Sequence, residues 1–355
     1  MKQIIKNLLK RILMNSLTDY EFFRDMYHLA LGYFAIRKLQ KKYGSKRHFV
    51  YFRGATGDGY IQFSLIDEYL RQNNTKDAVF VSAKKIAWLP HLQNIFRICD
   101  VEILPSITGD FVQEACLFWG KSLVDMRLPF YWEKQFGFTY NRCQVRMLPQ
   151  FNFMDTYVWF SFGIDYPVKF RKPLFEEVNY MNKFFRETIG IVPHKTVFLS
   201  PEANSITHLS IWFWNSIIKE LHKKGYKVLI NENYFNYYRA PNFFPSYETS
   251  TVCLEQGGYF LGIRSGFCDI ISTAKCKKII LYPEIKQKVD ISEHRSEMEF
   301  SSLKAMGLVS ENDKNLVEIS TPLLKNITDK NSNISGTEEY FIALEKLYKQ
   351  IMENF

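Results

Sequence analysis

Apolar and basic residues alternate at helical spacing from the first residues of the chain. Ile4, Ile5, Leu8, Leu9, Ile12 and Leu13 form one side and Lys2, Lys6, Lys10 and Arg11 the other, which predicts a basic amphipathic helix. Thr18-x-x-Glu21 reads as a capping box that opens a second, aromatic-rich helix ending at Gly44. His48-Phe49-Val50-Tyr51-Phe52 then predicts a strand. It is cut off by Arg53-Gly54-Ala55-Thr56-Gly57-Asp58-Gly59 and followed by Ile61, Leu65, Ile66, Tyr69 and Leu70 at helical spacing. A strand at 78–82, a helical stretch to about Arg97 and a strand at 101–104 continue the alternation, the pattern of a parallel sheet covered by helices.

Between about Trp119 and Phe170 aromatics and prolines follow no period, which fits acceptor-binding loops or an interdomain linker. Regularity returns with a helix ending at Gly190, a strand Thr196–Ser200, a helix Ile211–Lys224 stopped by Gly225, and a strand Tyr226–Ile230. A strand Tyr259–Ile263 leads through Arg264-Ser265-Gly266 into a short helix to Ala274, and a strand Lys278–Tyr282 stops at Pro283. After a polar segment 329–336, Tyr340, Leu344, Leu347 and Ile351 mark a final amphipathic helix. A chain of 355 residues exceeds the roughly 250 at which single cores stop growing. The expected organisation is α/β, with two Rossmann-like domains facing a cleft, 1–170 and 171–328, and 329–355 as linker and C-terminal helix.

The 46 Lys+Arg against 37 Asp+Glu leave a formal charge of +9, which favours an anionic partner. Nucleic acid is set aside, because the basic residues are not gathered on one recognition element and no RRM, KH or helix-turn-helix signature occurs. The basic N-terminal helix suits an anionic membrane surface, and equally an ordinary first helix packed on its domain. No window approaches the roughly 20 apolar residues of a membrane span and no secretory signal is visible, so the expected place is the cytoplasm, at the inner face of the membrane. The six cysteines form no CxxC pair and join no His cluster, which reads as reduced thiols without zinc. No Asp-x-Asp occurs. Neither a metal nor a cofactor is expected.

Two loops carry candidate chemistry. Gly57-Asp58-Gly59 lies between a strand and a helix, where open α/β sheets bind ligands, and Asp58 there can take a proton from an attacking hydroxyl or merely cap the helix. Its spacing is neither the dinucleotide fingerprint nor a P-loop. The turn Arg264-Ser265-Gly266 brings a strand to a helix N-terminus. Backbone N–H groups, the Ser265 hydroxyl, the close approach allowed by Gly266 and the Arg264 charge suit a diphosphate; a Ser N-cap beside a surface Arg is the plain alternative. Glu202, Asn204, Arg239 and Asp269 are further contact candidates, as are Lys84, Lys85 and His91, and a ring of the run 233–239 can stack on a base or a sugar.

Taken in order, Gly57-Asp58, the segment Phe198-Leu199-Ser200-Pro201-Glu202-Ala203-Asn204 before Ile211-Trp212, the turn Leu261-Gly262-Ile263-Arg264-Ser265-Gly266 and the strand Ile279-Ile280-Leu281-Tyr282-Pro283 resemble the layout of heptosyltransferase-like GT-B enzymes over most of residues 48–283. Arg264-Ser265-Gly266-Phe267-x-Asp269 is also similar to a segment of GDP-fucose-using fucosyltransferases, which share the GT-B architecture. Asp269 stands where heptosyltransferase-like chains usually place a His, and Pro201-Glu202-Ala203-Asn204 stands where fucosyltransferases carry a basic segment, so donor sugar and base stay open. The resemblance implies an inverting, metal-independent glycosyltransferase that builds bacterial surface polysaccharide, whether lipopolysaccharide, O-antigen or capsule. Asp58 would be the base, Arg264, Ser265 and Gly266 would hold the diphosphate of a UDP-, GDP-, dTDP- or ADP-linked sugar, and the acceptor would be a glycan or lipid-linked saccharide. The alternative is a non-catalytic nucleotide- or sugar-binding protein on the same scaffold.

Overall fold

The computed structural model describes residues 17–45, 47–52, 55–75, 78–92, 94, 97–119, 126–127, 150–172, 189–203, 209–231, 238–243, 246–283, 296–321 and 338–355. The N-terminal basic segment, Asn204, Glu284 and residues 232–237 lie outside them, as does the side chain of His91. Contacts group the described residues of 1–54, 62–139 and 158–169 into one compact unit and those of 55–61, 140–157 and 170–355 into a second.

The first unit opens with helix α1 (Leu17–Tyr43), so Thr18 falls inside its first turn. Strand β1 (His48–Phe52), helices α2 (Thr56–Ser64) and α3 (Ile66–Gln72), strands β2 (Ala78–Ala83) and β3 (Asp100–Leu104), helix α4 (Ser106–Trp119) and strand β4 (Met126–Arg127) follow, residues 56–61 of α2 grouping with the second unit. All strands pair in parallel in the order β3-β2-β1-β4, with His48 opposite Ala78 and Phe52 opposite Ser82. Burial on both faces explains the unbroken apolar runs. Phe49, Tyr51, Val79 and Val81 meet Ile36, Leu39, Val112 and Ala115 on one face, and on the other Phe52 stacks on Phe63 at 4.2 Å. The long helix expected before Arg97 is only a turn at Lys84–Ile86 and another at Leu89–Leu92, since Pro90 supplies no N–H to a continuing helix.

The second unit contains β5 (Thr196–Ser200), α5 (Ile211–Lys223), β6 (Lys227–Ile230), α6 (Tyr247–Gly257), β7 (Gly258–Ile263), α7 (Gly266–Ile270), β8 (Lys277–Tyr282), α8 (Glu297–Ser301), β9 (Leu316–Ser320) and α9 (Glu338–Met352). Its sheet is parallel, in the order β6-β5-β7-β8-β9. Val197, Leu199, Val228, Ile230, Leu261, Ile263, Ile279 and Leu281 build a core with Phe213, Trp214, Ile217 and Leu221 of α5 and Leu344, Leu347 and Ile351 of α9. Ser210 caps α5, accepting a hydrogen bond from the Phe213 N–H at 3.2 Å. Among the described residues no helix is long and apolar enough to cross a membrane.

Candidate functional site

Strand β7 ends at Ile263 and releases the turn Arg264–Gly266 at the carboxyl edge of the second sheet, the edge where parallel sheets present ligand loops. Ser200, opposite Gly262, ends β5 at the same edge and leads into the half-buried Glu202. Residues 55–61 pack on this unit too, which brings Gly57-Asp58-Gly59 to the turn. The approach is of backbone on backbone. A Cβ on Gly57 would overlap Asp269 Oδ2 and stand 2.5 Å from Gly266 Cα, and one on Gly266 would overlap the Gly57 nitrogen and stand 2.8 Å from its Cα. Only glycine at both positions permits this contact.

Asp58 lies in the first turn of α2, where the helix dipole favours a carboxylate. Its Oδ1 accepts a 2.6 Å hydrogen bond from the hydroxyl of Tyr157, a buried residue in the helical segment that follows the Asn152–Asp155 capping box. Thr56 Oγ1 stands 3.5 Å from the Tyr247 hydroxyl. Nothing in the sequence pointed to Tyr157, which sits in the aperiodic region 99 positions from Asp58.

Ser265 occupies the N-cap position of α7 with extended backbone, yet its side chain makes no cap bond. Its hydroxyl stands 3.8 Å from Cys268 Sγ, which leaves it able to turn to a ligand. Arg264 is 5% exposed. Its Nη2 lies 2.7 Å from Asp269 Oδ1 and its Nη1 3.2 Å from Oδ2. Nε donates to the Ser301 carbonyl at 3.0 Å and Nη1 to the Ser265 carbonyl at 2.5 Å. Burial presses the guanidinium pKa down, but Asp269, Tyr282 and Cys268 together outweigh it and the net direction is upward. Arg264 is thus no surface arginine: its charge is met by Asp269 and its N–H groups clamp the turn. Behind it, burial pushes the Cys268 thiol up to about 11 and the Tyr282 hydroxyl well above its ordinary value.

The structure therefore gathers Gly57, Asp58, Gly59, Arg264, Ser265, Gly266 and Asp269, and adds Tyr157. Arg239 stands apart, exposed beside the Tyr238 ring, whose backbone N–H bonds Asn215 of α5. Lys84 and Lys85 are exposed at the carboxyl end of β2 in the first unit.

Two units, each a parallel sheet flanked by helices, with glycine turns at the strand ends, define an α/β protein of the GT-B type. The glycosyl transferase family 9 structure from Veillonella parvula DSM 2008 matches with TM-score 0.50 at 12% identity, covering 86% of this chain and 98% of that one. The ADP-heptose lps heptosyltransferase II of E. coli matches at 12% identity, 86% and 99% coverage and TM-score 0.49, and the E. coli heptosyltransferase WaaC with ADP at 13%, 87%, 100% and 0.48. At such identities the likeness is one of fold. No protein-family model and no curated protein sequence matches the chain.

Proposed function

We propose that this chain transfers a sugar from a nucleoside-diphosphate donor to a hydroxyl of a glycan or lipid-linked acceptor in surface-polysaccharide synthesis, at the inner face of the membrane. The observation that carries the reading is the packing of Gly57 on Gly266, which sets the Asp58 carboxylate beside a turn whose serine hydroxyl is not spent on capping. Asp58 takes the acceptor's proton, the hydroxyl oxygen attacks the anomeric carbon, and the bond from that carbon to the β-phosphate oxygen breaks. The departing diphosphate is met by Ser265 and the N–H groups at Gly266 and Phe267. Arg264, committed to Asp269, keeps the turn in shape. Tyr157 aims the base. The fold shared with glycosyltransferase family 9 and the absence of any Asp-x-Asp support this metal-independent scheme.

The test begins with melting temperatures in UDP, GDP, dTDP, CDP and ADP, since a ligand that binds only the folded chain raises them by mass action. Turnover of the matching sugar donor is then measured in EDTA. Asp58→Asn should keep diphosphate affinity and lose roughly 10²–10⁴ in turnover. Diphosphate binding with no transfer to any acceptor would favour the non-catalytic alternative. Near-normal turnover in Asp58→Asn would move the base to Glu202 or Glu284.

A further inference from the structure

The second sheet has two ends, and the opposite one holds a cavity of about 610 Å³ among the amino ends of β7 and β8, the segment 272–276 and the loop before β9. Gly258, which opens β7, lines it, while Arg264 follows the other end of the strand. At about 3.3 Å per residue the amino end of β7 lies roughly 17 Å from its carboxyl end, where the Ser265 turn begins.

Lys278 lines this cavity and is 1% exposed. Its ammonium donates to the Ala274 carbonyl at 2.7 Å and, weakly, to the Cys276 carbonyl at 3.4 Å. Its third N–H has no described acceptor, and among the described residues no carboxylate pairs with it. Lysines are almost never this buried unless paired. Ser272, 3% exposed on the same wall, has a hydroxyl with no hydrogen-bond partner in the structure. Buried hydroxyls are normally satisfied. Two unrelated deficits, a cation without an anion and a donor without an acceptor, thus open onto one cavity.

The rest of the lining agrees in sign. Lys172 and Lys275 stand exposed at its rim with His194 and Asn315. Lys277 also lines it, but its ammonium is spent on the Asn354 carbonyl at 2.7 Å. The single carboxylate, Asp313, has one oxygen accepting the Asn315 backbone N–H at 2.9 Å. Three uncommitted or half-committed ammonium groups therefore face one acid.

We infer that this cavity is a second ligand site, distinct from the transfer site, and that it takes a phosphate monoester. Lys278 and Ser272 bond the phosphate oxygens from within, and Lys275 and Lys172 close on them from the rim. Several ammonium donors and a hydroxyl suit a tetrahedral oxyanion better than the planar fork of an arginine-held carboxylate. A volume of about 610 Å³ exceeds a bare phosphate and leaves room for the group esterified to it. That group is a soluble sugar or the glycerol of a lipid, and the phosphate chemistry is common to both.

Isothermal titration of the full chain with inorganic phosphate and with glucose 1-phosphate, at constant ionic strength, tests the site. Saturable binding is expected, weakened about tenfold or more by Ser272→Ala and by Lys275→Ala, the range of a hydrogen bond to a charged group. Ser265→Ala and Asp58→Asn should leave this binding unchanged, and Ser272→Ala and Lys275→Ala should leave sugar transfer unchanged. Sedimentation with vesicles containing phosphatidic acid separates the sources: co-sedimentation lost in Lys275→Ala assigns the phosphate to a lipid, and soluble binding without it assigns it to a soluble ester. The inference is overturned if no saturable phosphate binding occurs, if Ser272→Ala and Lys275→Ala bind like the parent, or if Ser265→Ala alone abolishes it. Lys278→Met provides a second check. With no anion site it removes an unmatched buried charge and phosphate keeps its effect on melting; with the site, phosphate no longer raises the melting temperature.

Discussion

Breaking the Arg264–Asp269 pair separates a clamped arginine from a free one. Both side chains are almost wholly buried, with the charges 2.7 Å apart. Removing one member of such a pair leaves an uncompensated buried charge and costs about 3–5 kcal/mol. Asp269→Leu should fall near 3 kcal/mol, and Arg264→Met nearer 4–5, because it also releases the Ser265 and Ser301 carbonyls at about 1 kcal/mol each. The double variant leaves no lone charge and should cost about 2 kcal/mol, far below the sum. In a domain of 150–250 residues, about 2–4 °C of melting temperature accompany each kcal/mol, so the singles should lose roughly 6–20 °C and the double less. Urea unfolding, followed by circular dichroism and the fluorescence of buried Trp214, measures all three. Single variants costing under about 1 kcal/mol, or effects that simply add, would refute the clamp and return Arg264 to the diphosphate.

Tyr157→Phe removes the donor that orients Asp58 and should lower turnover about tenfold at unchanged nucleotide affinity, read by steady-state kinetics beside titration. Of the five described cysteines, Cys99 should label with maleimide in the native state at neutral pH. Cys268, Cys116, Cys253 and Cys276 should not, because burial holds their thiols up at about 11 to 12; mass mapping decides. Deleting residues 1–14 should abolish salt-sensitive sedimentation with anionic vesicles while the chain stays folded; unchanged sedimentation would make that segment ordinary packing.

Strands β1, β2, β5, β7 and β8 were legible because a parallel sheet covered on both faces demands continuous apolar runs, and His48–Phe52 or Lys278–Tyr282 can serve little else. Helix α6 was not, since Tyr247-Glu-Thr-Ser-Thr carries no clear apolar stripe and depends on the cap from Ser246. Strand β9 escaped for a related reason: it is an edge strand, half exposed, with Glu318 in its middle. The two glycine turns declared themselves through local chemistry. What joins them did not, because the Gly57–Gly266 approach and the Tyr157–Asp58 bond link residues about 200 and 99 positions apart with no periodic trace. The Arg264–Asp269 pair left no periodic trace either, although its members are only five residues apart, because it closes across a turn.

The segment that carries Asp58 is synthesised early, yet the surface it rests on, Ser265 to Asp269, leaves the ribosome some 200 residues later. At about 5–20 residues per second, that is a wait of roughly 10–40 s. During that interval strand β1 and its sheet can already pair and Tyr157 emerges in time to reach Asp58, while Gly57 has no backbone to rest on. A gene cut near residue 170 recreates the same state permanently: the N-terminal half keeps its sheet but exposes the first turn of α2, and the C-terminal half presents Gly266 with nothing lying across it. Separately produced halves of this chain therefore each carry one side of an unfinished backbone contact, and a split at that point yields a pair to be reunited rather than two independent domains.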